Sequence, residues 1–494
     1  MRSVAPVSLA LATLLASCAA RAPYAAPAVA VPSAFSTGPA AGALHEADWW
    51  RTFNDPELTS LVTRALASNP DVQEAVSRVR QAREQQRIVS GGHGPQINAS
   101  AQAADTRLSS NALPTSLTNL FTGNAGQAAS GGGLGLPGEA FSVFQLGFDA
   151  SWELDLFGGQ RRANAAAQAR TEAAVWSARD AQVVLAAEVA DTYQQYRALQ
   201  RRLAIADETL AAEREALTFA KVRFANGLDM DSNLRRQERE VEQAAAQRED
   251  LAAQADGRLH ALGFLLGLAP NALAGELSRP RAVAPAMVET PPGLPSELLK
   301  RRPDIRSAER RLAAATADVG VATADLFPKV TLTGALQLAS RSLSSLLEAD
   351  SRQDNVSSRI SLPLLDRGRL HVAVRLRQAQ ADEAATAYRK TVFGALRDVE
   401  DALTRLDADR RRLERMRAAA LSAQDDSDSA AVRYRNGLTA AGDMLGARLT
   451  SLAARDAQVQ AEAAAAQDEV SLYKALGGGW DVRPGAGEGG KSSG

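Results

Sequence analysis

The sequence predicts an α+β membrane protein in which several copies of the chain close one β-barrel and long coiled-coil helices continue it. Three observations predict this class. The chain repeats one plan twice, each copy carries a pair of alternating strands, and each carries a long proline-free stretch with a heptad pattern.

The chain opens with Arg2, an apolar run from Val4 to Ala16, and then Leu15-Ala16-Ser17-Cys18. A basic start, a short apolar core and small residues before the cut describe a secretory signal over residues 1–17, not a spanning helix. The four residues ending at Cys18 resemble the lipobox of bacterial lipoproteins, so lipidation is expected at Cys18, with a diacylglyceryl group on the thiol. Ala19 follows instead of an acidic residue, which in that class favours the outer membrane. The plain alternative is an ordinary signal with an incidental cysteine. Residues 18–45 read as a lipidated Ala/Pro-rich tether without periodicity. Beyond the signal no apolar run reaches the roughly eighteen residues of a membrane helix, so any crossing must use strands.

Composition narrows the function. At 494 residues the chain exceeds one ordinary core, and its 56 basic and 57 acidic side chains give no support for a nucleic-acid partner. Aromatics make up 5%, while Ala, Arg, Gln, Glu and Leu dominate, the composition of long helices. Four scattered histidines (His45, His93, His260, His371) and one cysteine build no metal centre or disulfide framework. No cofactor is expected beyond the lipid on Cys18, and no enzyme activity. Gly131-Gly132-Gly133 lacks the lysine and following helix of a phosphate loop.

The repeat is read from landmarks. Asn69-Pro70-Asp71-Val72 matches Arg302-Pro303-Asp304-Ile305, and Pro95 matches Pro328, at one spacing of 233 residues. Val222-Arg223-Phe224-Ala225-Asn226-Gly227-Leu228 matches Val432-Arg433-Tyr434-Arg435-Asn436-Gly437-Leu438 at 210. The excess in the first copy falls between Pro95 and about Phe141, in a Gly/Ser/Asn-rich segment that reads as a loop. The first repeat spans 46–280, the second 281–480, and a disordered tail 481–494.

Each copy reads helix, strand, strand, long helix, return helix. Opening helices are expected at Pro56–Ser90 and Ser296–Leu326, and strands at about 95–106, 141–155, 328–339 and 355–365. Phe144, Leu146, Phe148, Ala150, Trp152 and Leu154 alternate with polar, acidic or small residues. Val356, Ser358, Ile360, Leu362 and Leu364 keep the same phase in the second copy. Alternation alone fits a half-buried soluble sheet as well as a strand between lipid and water. The helices decide. No proline lies between Pro137 and Pro270 or between Pro363 and Pro484. Val189, Tyr196, Leu203, Leu210, Leu217 and Phe224 recur every seven residues, as do Val399, Leu406, Leu413, Ala420, Ser427 and Tyr434. Long helices at about 158–226 and 368–436 follow, each roughly 98 Å over its central stretch of about 65 residues. Each stops at Asn-Gly, where glycine accepts positive φ. Return helices follow at about 231–267 and 441–477.

Four strands cannot stand alone in lipid, because each open edge would leave amides unpaired in hydrocarbon. Copies must share a barrel, and long helices below it make a tube; transport follows from that shape.

The chain also resembles the outer-membrane efflux protein family (TolC/OprM-like outer membrane factors, NodT-type lipoprotein branch). The resemblance rests on Asp48-Trp49-Trp50, Trp152-Glu153-Leu154-Asp155-Leu156-Phe157-Gly158, Arg301-Arg302-Pro303-Asp304-Ile305, Ala324-Asp325-Leu326-Phe327-Pro328, Pro363-Leu364-Leu365-Asp366-Arg367-Gly368-Arg369 and Leu472-Tyr473-Lys474-Ala475-Leu476-Gly477-Gly478-Gly479-Trp480. It implies a homotrimer with a twelve-stranded barrel in the outer membrane, a helical tunnel in the periplasm, and docking to a periplasmic membrane-fusion adaptor and an inner-membrane transporter, RND-type foremost. The lipidated branch implies efflux of small molecules. A protein-secretion duct of type I and a pore-free coiled-coil scaffold lipoprotein are the alternatives.

By the same resemblance Arg223, Asn226, Gly227, Leu228, Arg433, Asn436, Gly437 and Leu438 are adaptor-contacting tips, although Asn-Gly also serves simply to turn the chain. Asp443 falls where some members place an aspartate ring at the periplasmic gate. This chain departs from them one position further in, where Gly446 replaces a second acid. Asn233, the first-copy counterpart of Asp443, is neutral, so unequal tips are expected. Arg301-Arg302-Pro303-Asp304 reads as a helix start, and Arg410-Arg411-Arg412 as a solvated face interleaved with Asp407 and Asp409.

Overall fold

In a computed structural model, the structure describes residues 24–36, 47–107, 140–280 and 294–480. The signal, Cys18, His45, the glycine-rich insertion and the tail 481–494 lie outside the described residues. The chain divides into two compact units.

The first unit holds residues 83–169 and 313–382. Its centre is a four-stranded antiparallel sheet in the order β1 (Gln96–Arg107), β2 (Ala140–Leu154), β3 (Lys329–Ser340), β4 (Arg352–Ser361). The β2–β3 pair joins the two copies, so β1 and β4 are both edges. Register aligns the apolar sets: Phe148 faces Ala99 on one side and Leu336 on the other, and Trp152 faces Leu332. Because side chains alternate with period two, this register gathers Ile97, Phe148, Leu336, Val356 and Ile360 on one face. That face is not covered: Phe148 is 59% and Val356 89% exposed. A soluble half-buried sheet would hide this face, since each such side chain gains about 1.5–3 kcal/mol from leaving water. The alternation is therefore that of a lipid-facing sheet.

β4 starts and stops earlier than the expected 355–365. Pro363 has no amide for the ladder, and Asp366, Arg367 and Gly368 turn into the next helix, leaving Leu362 and Leu364 exposed beyond the strand. Trp152 donates its indole N–H to the His93 carbonyl (3.0 Å), and Phe157 stacks on Phe327 at 4.9 Å. These contacts tie the chain ends that leave and enter the sheet.

The second unit holds residues 26–82, 170–312 and 383–494. The opening helix of each copy proves to be two helices, a correction to the single spans Pro56–Ser90 and Ser296–Leu326: α1 (Pro56–Ser68) and α2 (Pro70–Gly91), then α5 (Pro295–Arg301) and α6 (Pro303–Ala324). The residue before each proline is pushed to extended backbone, which ends the first helix. Long helices α3 (Gly159–Ala225) and α7 (Arg369–Arg435) have 67 residues each, and return helices α4 (Asp231–Leu265) and α8 (Ala441–Ala475) have 35.

The break has a use. Asn69 accepts from the Asp71 and Val72 amides at the start of α2 while its Nδ2 donates to the Leu265 carbonyl at the end of α4 (2.9 Å). One side chain thus satisfies orphan groups of two helix ends. Arg302 holds the corresponding place, donating to the Ala475 carbonyl (2.9 Å) and pairing with Asp304. Its guanidinium thus joins the end of α8 to the start of α6.

The core of this unit collects Trp49, Trp50, Phe53, Leu58, Val189, Tyr193, Leu262 and Leu277. Trp49 stacks on Tyr473 at 4.9 Å, so the first described motif packs on the last. Arg197, fully buried, pairs with Glu57 and donates to the Leu277 and Arg279 carbonyls, and Tyr193 donates to Asp55 (2.6 Å). Heptad positions are buried early and lose cover late. Val189, Tyr196 and Leu210 are buried but Phe224 is exposed; Val399, Leu406, Leu413 and Ala420 are buried but Tyr434 is exposed.

Candidate functional site

The least covered parts of the second unit are the two turns between long and return helices. Both stop in the same way. Asn226 and Asn436 each donate Nδ2 to the carbonyl four residues back, Val222 (2.7 Å) and Val432 (2.9 Å). Gly227 (φ +71°) and Gly437 (φ +72°) then take the left-handed conformation. Leu228 and Leu438 close each end with amide bonds to the Arg223 and Arg433 carbonyls, both 2.9 Å. This geometry requires glycine: a side chain there meets no neighbour, yet the backbone conformation itself is costly. Leu228 is 65% and Leu438 74% exposed, so each turn ends in an apolar knob.

The polar groups differ. In the first turn Asp229 accepts from the Met230 amide (2.9 Å), the Asn233 side chain and Arg223 Nε (3.3 Å). The Asn233 bond, then the Met230 amide, holds its carboxyl below the usual carboxylate range. Arg223 also donates to the Leu228 carbonyl, so its guanidinium is spent on the turn. In the second turn Thr439 replaces Asp229, and its hydroxyl donates to Asp443 (2.8 Å). Asp443 lies in the first turn of α8, where a carboxylate also suits the helix dipole. Among the described residues no hydrogen bond or ion pair joins the two turns. Gly446 opens onto free space.

Above the turns, sequence reasoning missed a ladder of ion pairs. Arg202–Asp456 (2.7 Å), Arg455–Glu208 (2.7 Å) and Arg448–Glu215 (3.4 Å) join α3 to α8, and Arg248–Asp207 (3.0 Å) joins α4 to α3. Their signal was present in charges flanking the heptad positions. Between these helices lies a groove of about 320 Å³, lined in part by Ile205, Leu251, Leu449 and Leu452. The run Arg410-Arg411-Arg412 is not one solvated face, a correction to its expected exposure. Arg411 and Arg412 lie on a solvated face beside Asp407 and Asp409, but Arg410 turns inward to the buried Glu469 (2.9 Å).

The model of the outer membrane efflux protein family matches residues 61–268 and 294–478, one block in each repeat. The chain belongs to the outer membrane efflux protein family. Outer membrane protein OprJ of Pseudomonas aeruginosa is 32% identical, over 96% of this chain and 95% of that protein. The pyoverdine export outer membrane protein OpmQ of the same species is 34% identical over 87% of each. The solved outer-membrane channel OprN superposes with a TM-score of 0.80 at 33% identity, covering 92% of this chain and 99% of that one. The fold class is that of trimeric outer-membrane efflux channels, with four strands per chain in a twelve-stranded barrel and the long helices in an α-helical barrel. This efflux protein is the outer-membrane channel component of a tripartite efflux system, and the family's members are channels.

Proposed function

We propose that the chain works as a lipid-anchored homotrimer, a passive exit duct for small molecules that an RND-type inner-membrane pump delivers through a periplasmic adaptor. The observation that carries this reading is the sheet: two open edges, β1 and β4, beside one uncovered apolar face. Closing those edges with further copies satisfies every ladder amide in lipid. The uncovered late heptad positions and the knobs Leu228 and Leu438 supply the surface for an adaptor, together with Arg433, Asn436 and Gly437 and their counterparts Arg223, Asn226 and Gly227. Efflux of small compounds is supported by the name of OpmQ, which exports pyoverdine. Asp443 from three copies would narrow the entrance as a ring of carboxylates. Lipidation of Cys18 rests on the sequence Leu15-Ala16-Ser17-Cys18.

Purified full-length protein in planar bilayers tests the duct: discrete conductance from a detergent-stable trimer is expected, and a pore-free or monomeric sample would overturn it. Mass spectrometry of the mature amino terminus tests the anchor. A lipid mass on Cys18 that Cys18→Ser abolishes is expected, and an unmodified thiol would remove this part of the reading.

A further inference from the structure

The residues on the two open edges of the sheet fix how one copy meets the next. β1 and β4 run in opposite directions, so β4 of one copy can extend the antiparallel ladder onto β1 of another. Both edges turn apolar side chains to the uncovered face: Ile97 is 69%, Val356 89% and Ile360 72% exposed. On that same face, at the end remote from the helices, β1 carries Asp105 and β4 carries Arg352 and Asp354. Within one copy Asp105 accepts only from the neutral Ser142 (3.2 Å) among the described residues. Arg352 lies opposite Leu338, with Asp354 loosely placed at 3.8 Å.

Three constraints select one register. Side chains alternate, so only shifts by an even number of residues keep the apolar sets on one face. Placing Ile97 opposite Ile360 also sets Ala101 opposite Val356 and Asp105 opposite Arg352, and every residue of β4 finds a partner on β1. A shift of two residues one way opposes Asp105 to Asp354 and Arg107 to Arg352, like charges face to face. The same shift the other way opposes Ile360 to Pro95, which has no amide for the ladder.

The strand tilt agrees. Directly opposed residues lead across the sheet from Ile97 through Ala150 and Gly334 to Val356. The selected register then returns to Ala101 of the next copy, four residues beyond Ile97. Four residues over four strand spacings tilt the strands by about 35°, and the two shifted registers by about 46° and about 19°. Membrane barrels tilt by roughly 35–45°.

We propose that β4 of one copy pairs with β1 of the next in this register, pinned by an Asp105–Arg352 ion pair at the rim. The pair neutralises two charges on the lipid side of the barrel and forbids slippage by two residues. This inference rests on the shared-barrel reading above and adds to it the residues by which copies recognise one another.

Cysteine pairs in purified full-length protein test the register. Directly opposed pairs alternate between hydrogen-bonded and non-hydrogen-bonded, so one pair of each kind is used, Ala101→Cys/Val356→Cys and Ser100→Cys/Ser357→Cys. Oxidation is expected to convert the detergent-stable trimer into a covalent trimer on denaturing gels in at least one of them. Ala103→Cys/Val356→Cys, offset by two residues and so beyond disulfide reach, is expected to run as single chains. Asp105→Arg and Arg352→Asp should each lower the temperature at which the trimer dissociates, and the double exchange should restore it. A trimer that cross-links through the offset pair, or through no pair, overturns the register and leaves the duct standing. Absence of any trimer instead overturns the duct reading itself. A double exchange without rescue removes the ion pair as the pin.

Discussion

The two helix turns share a backbone and differ in where their carboxylate sits. In the first, Asp229 precedes the return helix and is saturated by Met230, Asn233 and Arg223. In the second, Thr439 takes that place, and the acid has moved four residues on to Asp443, where only Thr439 holds it among the described residues. Turn geometry was therefore kept by the repeat while charge was redistributed. The first turn uses its acid and its arginine to fasten itself. The second leaves a lightly held acid and Arg433 available for a partner or an ion. Sequence numbering alone pairs Asn233 with Asp443; the structure adds that Asp229 and Asn233 together answer for Thr439 and Asp443.

Replacing the exposed knobs should have the largest effect. Leu228→Asp and Leu438→Asp each remove the burial of one leucine, about 1.5–3 kcal/mol, which is roughly ten- to a hundredfold in adaptor affinity. Binding of purified adaptor to the channel would measure this, and an effect at one turn alone would show that only that turn docks. Gly227→Val and Gly437→Val come next. Each forces a branched residue into left-handed backbone at about 1–2 kcal/mol, lowering the thermal midpoint by a few degrees at most. Equal losses are expected; unequal ones would break the claim of a common backbone.

A comparison of the two acids is subtler. Asp229→Asn should weaken the first turn at neutral pH and have no effect in strong acid. The carboxyl is held below 3.8 in the folded chain. Its contribution is therefore present above that value and is lost as pH falls through the lowered one. Hydrogen exchange of residues 222–234 against pH would show the convergence, and a pH-independent difference would refute it. The smallest effect is expected for Asp443→Ala, a modest rise in conductance or relief of divalent-cation block, and unchanged conductance and block would remove the gate.

Much of the fold was legible because its signals are local. Asn226-Gly227 and Asn436-Gly437 stop helices by backbone chemistry that needs no distant partner. Val189 through Phe224 mark a helix face because period seven is a property of the chain itself. The splices were not legible. Asn69 and Arg302 look unlike one another, yet each reaches a distant carbonyl, Leu265 at 196 residues and Ala475 at 173. Nor could heptads show that Phe224 and Tyr434 lie bare while Val189 and Val399 are sealed.

The amino-acid order by itself determined the repeat, the periods of strands and helices, and the turns, since each depends on neighbours a few positions apart. Tertiary structure alone decided which polar groups meet: that Arg410 leaves the solvated face for Glu469, and that Asp229 is held while Asp443 is nearly free. The physical reason is that charge acts through space at a few ångströms, and only packing sets those distances.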